Sequence, residues 1–137
     1  MKLIISSIVV GIVLFLLGWL IYGFLLMDFY KQYFGHISRV QSDMKLWAIA
    51  VANFAQAFFM YLVYSKGYRG GSPIFEGIKF GILIGLFVGI PYVFYTWAGM
   101  PVKYTGVIID GIVMIFMYIV AGVITGLIFG KKDVKTV

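Results

Sequence analysis

Four long apolar runs divide the chain, at about residues 3–27, 46–65, 74–97 and 105–129, with polar or glycine-rich stretches between them. Each run exceeds the roughly 17–20 apolar residues that an α-helix needs to cross a bilayer. Charges inside the runs are few: Glu76 and Lys79 near the start of the third, and Asp110 near the start of the fourth. The pattern predicts an all-α fold, an integral membrane four-helix bundle that occupies the whole chain as one transmembrane domain. The longest connection is an interfacial loop at 28–45. There Phe29, Tyr30, Tyr33, Phe34 and Ile37 mix with Lys31, Gln32, His36 and Arg39, which suits a short amphipathic helix on the membrane surface.

The third run carries a second pattern, in which Gly77, Gly81, Gly85 and Gly89 recur every four residues. In water each interior glycine costs a helix roughly 1 kcal/mol relative to alanine. In a bilayer the backbone must satisfy its own hydrogen bonds, so the segment stays helical and the stripe lets another backbone approach. The fourth run has a matching stripe at Gly122, Gly126 and Gly130, and the first has Gly11 and Gly18. The third and fourth helices are therefore expected to pack backbone to backbone at the end where their stripes coincide. Toward the other end Pro91 removes a backbone donor and is expected to kink the third helix. Ser42 or Asp43 is expected to cap the second helix, and Ser72 followed by Pro73 to open the third.

Composition sharpens this picture. Hydrophobic residues make up 63% of the chain and charged residues 12%, where soluble domains carry about 25%. That leaves no room for a soluble domain. The net charge of +6 does not point to nucleic acid, because the basic residues flank the apolar runs and suit contact with anionic lipid. Lys2, Lys66, Arg69, Lys79, Lys131, Lys132 and Lys135 fall on one side of the threading, against Lys31, Arg39, Lys45 and Lys103 on the other. The positive-inside rule then places both termini in the cytoplasm. The first run is longer than a signal-peptide core and has no small-residue cleavage site, so it reads as a retained helix.

Candidate chemistry lies in the outer half. Counting 1.5 Å per residue, Trp19, Tyr22, Asn53, Gln56, Tyr92, Tyr95 and Asp110 fall at similar depth, where the stripes give out. They predict a polar, aromatic-lined cavity opening outward. Each has a plainer reading as well. Trp19 and Tyr22 suit an interfacial belt, and Asn53 and Gln56 suit hydrogen bonding between helices. An intramembrane carboxylate is a functional-site candidate, although Asp110 could instead be an anchor paired with Lys103 or Lys31. The single histidine, His36, has no cysteine or acidic pair beside it and reads as an interfacial residue, not a metal ligand. No catalytic constellation or phosphate loop is visible, so neither an enzyme nor a cofactor is expected.

The segment Gly18-Trp19-Leu20-Ile21-Tyr22-Gly23-Phe24 resembles the end of the first helix in a bacterial family of four-helix integral membrane proteins of unassigned function, marked by a GxLWYG-like motif. The resemblance extends to length and to glycine-rich later helices. It implies a bacterial inner-membrane location and brings no substrate. Two functional readings stay open. One is a protein that binds a small amphipathic, lipid-like ligand or a membrane partner through the cavity. The other is a small transporter or channel, acting as a homo-oligomer, with Asp110 as its coupling charge and part of the 77–89 stripe left over for subunit contacts.

Overall fold

The computed structural model describes residues 1–130, and the basic tail 131–137, expected to be loose, lies outside the described residues. Among the described residues all regular structure is helical. Helix α1 (Lys2–Leu20) runs directly into a π-helical turn (Ile21–Leu25), and α2 (Met27–Phe34) follows. Then come α3 (Leu46–Gly67), α4 (Pro73–Gly99) and α5 (Tyr104–Phe129). Among the described residues four segments are long and apolar enough to cross a membrane: Lys2–Leu25, Leu46–Gly67, Pro73–Gly99 and Tyr104–Phe129. They pack as a helical bundle with α5 at its centre, touching α1, α2, α3 and α4.

The α4–α5 contact is set by the absence of side chains. Gly77, Gly81, Gly85 and Gly89 are all buried. A Cβ on Gly77 would lie 2.6 Å from the Gly122 carbonyl oxygen, and one on Gly81 would lie 2.6 Å from the Ile119 Cα. On Gly85 the nearest atom is the Ile115 Cα at 3.0 Å, and on Gly89 it is the Ile115 Cγ1 at 3.2 Å. Backbones thus touch near the start of α4, and side chains intervene toward its end. The stripe is buried along its length within one chain. That corrects the expectation that part of it remains for contacts between copies.

The other faces follow the same logic. On α1, Gly11 receives the ring of Phe54 from α3, and Gly18 faces Met117 of α5. Val10, Leu14, Ala57, Met60, Tyr118 and Ala121 form the central core between these three helices. At the end where α1 starts and α5 finishes, Tyr61, Tyr64 and Phe129 make an aromatic cluster. Nearby, Lys2 Nζ donates to the Phe129 carbonyl at 2.8 Å, placing a cation at the negative end of the α5 dipole. Lys2→Met is expected to lower stability by about 0.3–1 kcal/mol, read from unfolding in mixed micelles, with the loss shrinking in high salt.

Two local expectations need correction. The N-cap of α3 is Lys45, without a side-chain cap bond, while Ser42 and Asp43 lie in a separate 3-10 turn at Gln41–Asp43. The helix within 28–45 does not simply lie along a surface. Phe34 is buried with Val102 and Val107, and Tyr33 packs over Gly106 at the start of α5. Any side chain on Gly106 would meet the Tyr33 ring. Gly106→Leu is therefore expected to undock α2 and raise its backbone hydrogen exchange, while exchange in the α4–α5 contact stays unchanged. His36 adds a tie, its Nε2 lying 2.8 Å from the Pro101 carbonyl oxygen in the α4–α5 connection. Helix α4 continues without interruption through Pro91 to Gly99.

Candidate functional site: a buried carboxylate between tyrosines

Asp110 follows the first residue of α5 by six positions, about 9 Å along the helix axis. It is 4% exposed, and hydroxyls take both of its oxygens. Tyr22 donates to Oδ1 at 2.6 Å, and Tyr92 donates to Oδ2. One carboxylate on α5 therefore joins α1 to α4. Its partners are neutral tyrosines, where the anchor reading had offered Lys31 or Lys103. Hydrogen bonds to a carboxylate are charge-assisted and stronger than those between neutral groups.

Around this triad is a cleft of about 270 Å³. Every helix contributes to its wall: Leu14 from α1, Tyr22 from the π turn that continues it, Tyr30 from α2, and Asn53 and Gln56 from α3. Tyr92 comes from α4, and Asp110, Met114, Met117 and Tyr118 come from α5. Tyr22 meets Tyr30 edge to face at 5.2 Å, and Tyr30 stacks on Phe34 at 4.7 Å. Burial, and then the Asp110 charge, raise the Tyr30 hydroxyl above its ordinary pKa, and a hydrogen bond with Ser38 offsets part of this. Tyr30 thus stays protonated at neutral pH and keeps a donor at the cleft.

No protein-family model, curated protein or solved structure matches this chain.

Five of the residues singled out in the sequence meet at this cleft: Tyr22, Asn53, Gln56, Tyr92 and Asp110. Trp19 and Tyr95 do not. They are 61% and 79% exposed, on the outside of the bundle. Helix phase explains both. On the first span Tyr22 continues the four-residue row of Leu14 and Gly18 that faces α5, whereas Trp19 falls off that row. On α4 the four-residue partner of Tyr92 is Thr96, which is buried, whereas Tyr95 falls off that row. Tyr30, Met114, Met117, Tyr118 and Leu14 were not singled out. Met114, Met117 and Tyr118 stand four, seven and eight residues after Asp110, so the inward row of α5 could be read by spacing alone. Tyr30 had no such signal, because its position depends on the break between α1 and α2.

Chemically, the cleft offers one carboxylate, fixed hydroxyl dipoles, two side-chain amides and soft thioethers. Among the described residues no group of His, Cys, Asp and Glu could hold a metal ion. The arrangement suits recognition of a molecule with a polar end and an apolar body.

Proposed function

We propose that this chain is a small multi-pass membrane protein that binds a small amphipathic, lipid-like ligand in the Asp110 cleft. The observation that carries the reading is Asp110 itself. A buried carboxylate is costly unless its surroundings hold it for a purpose, and intramembrane carboxylates are functional candidates by default. Here two tyrosine hydroxyls fix it at the wall of a cleft to which every helix contributes. Tyr22 lies within the π turn, and such turns concentrate at functional sites, which supports the same reading. A binding protein is the class this reading takes, since a fixed carboxylate beside an apolar wall suits recognition of a guest.

The surrounding architecture completes the proposal. The bundle sits in a bacterial inner membrane, as the 18–24 motif implies. Lys2, Lys66, Arg69 and Lys79 lie toward the cytoplasm with the termini, and the cleft faces outward. The glycine stripes of α4 and α5 act as a zipper that holds the cytoplasmic half closed. Native mass spectrometry of protein released in mild detergent tests the reading. A discrete non-protein mass is expected on the wild type, and a naked chain from several lipid backgrounds would sink it.

A transport role for the same cleft is the second reading, favoured by Asp110 as a coupling charge within the span. It requires that Asp110→Asn abolish flux in proteoliposomes; unchanged flux removes it.

A further inference from the structure

The charge balance around Asp110 narrows the ligand, a step that rests on the ligand-binding reading above. Among the described residues the cleft wall holds one carboxylate, and no lysine, arginine or histidine lines it. Tyr22 and Tyr92 orient and stabilise the carboxylate without neutralising it. An ion removed from water still carries a penalty of several kcal/mol unless a counter-charge meets it. A carboxylate has about four acceptor positions, so two hydroxyl donors leave about two unused.

The rest of the wall fits a positive guest. Tyr22, Tyr30, Tyr92 and Tyr118 present aromatic rings around the same space. Ring faces attract cations, by about 2 kcal/mol where the cation is desolvated. An anion would face Asp110 with no basic group to receive it. Size argues against a bare metal ion. The cleft measures about 270 Å³, whereas an engineered cavity of about 150 Å³ already accommodates benzene. Leu14, Met114 and Met117 form the apolar part of the wall, and thioethers adapt to varied hydrocarbon shapes.

We infer that the cleft takes a monovalent organic cation, with an amine or quaternary ammonium group at Asp110 and an apolar body along Met114 and Met117. Such a group has two sources, a free hydrophobic amine or the ammonium of a lipid headgroup.

The test compares benzyltrimethylammonium with neopentylbenzene, its uncharged isostere, by equilibrium dialysis. The full chain is held in dodecyl maltoside, a neutral detergent without ammonium, and protein-free micelles give the reference. The wild type is expected to hold the cation about tenfold or more tighter than the isostere, once micelle partition is subtracted. Asp110→Asn should bring the two probes to within about twofold of each other, by loss of cation binding. Tyr30→Leu should weaken the cation several-fold, while Tyr30→Phe, which keeps the ring, should change it less than about twofold. Competition by phosphatidylethanolamine would support the cation assignment and identify the headgroup as the source. Cation binding untouched by that lipid would support a free amine.

Equal binding of both probes to the wild type would overturn the cation assignment and leave the ligand-binding reading standing. That comparison needs no variant, so a poorly folded Asp110→Asn protein would not decide it. Failure of both probes, together with a naked wild-type mass, would end the ligand-binding reading itself.

Discussion

Asp110→Ala is expected to destabilise the bundle by about 2–5 kcal/mol and, on the binding reading proposed above, to abolish retention of a ligand. Alanine leaves the Tyr22 and Tyr92 hydroxyls inside the bundle without their acceptor. A buried donor stripped of its partner costs about 1–3 kcal/mol, and two are exposed to that penalty together. Removal of a buried carboxylate offsets part of the loss, which keeps the total below the simple sum. Asparagine separates the two roles of the residue. Its carbonyl oxygen still accepts from one tyrosine, and its amide can donate to the other tyrosine oxygen. Asp110→Asn should therefore recover most of the stability, measured by unfolding in mixed micelles. It should not recover the retained mass in native mass spectrometry. An asparagine variant that keeps the ligand in full would make Asp110 a packing element and remove its role in recognition.

Gly81→Leu is expected to have the largest effect on folding, above about 3 kcal/mol and enough to eliminate monodisperse protein. Overpacking is usually limited because neighbouring side chains turn aside. At Gly81 the obstacles are the Tyr118 carbonyl oxygen and the Ile119 Cα, both 2.6 Å from the Cβ position, and backbone cannot turn aside. The helices would have to separate, and separation would draw Tyr92 and Asp110 apart. Gly89→Ala provides the graded control. Its nearest obstacle is the tip of the Ile115 side chain at 3.2 Å, so a loss of about 1 kcal/mol or less is expected. Gly99 has no atom within 4 Å of its Cβ position, and Gly99→Ala should be near neutral. Size-exclusion profiles across the three variants would show the ranking. Equal tolerance at Gly81 and Gly99 would mean that α4 and α5 do not touch through backbone.

Much of the architecture was legible from residue order because its causes are local. Apolar runs of membrane-crossing length mark the four long helices, since no other backbone form satisfies itself in lipid. A four-residue repeat names the face of α4 that a neighbour can approach, because positions four apart stack on one side of a helix. Depth is also local: at a fixed rise per residue, Tyr22, Asn53, Gln56, Tyr92 and Asp110 fall near one level before any packing is known.

Phase and partnership were not legible in the same way. Trp19 and Tyr22 share a depth, and only the packing of α1 against α5 decides which of their two rows faces inward. Tyr30 joins the cleft because the chain breaks at Leu26 and folds α2 back over the start of α5. The partner of Asp110 was the hardest to foresee. Lys31 and Lys103 are near it in sequence or level and carry the opposite charge. The bundle instead brings two tyrosines to it, from positions 88 and 18 residues away. The sequence by itself determined the membrane class, the helices, the small-residue faces and the depth of the polar groups, all consequences of local spacing and solvent. Tertiary structure alone decided which of those groups meet, because a hydrogen bond between helices depends on the rotation of each about its own axis.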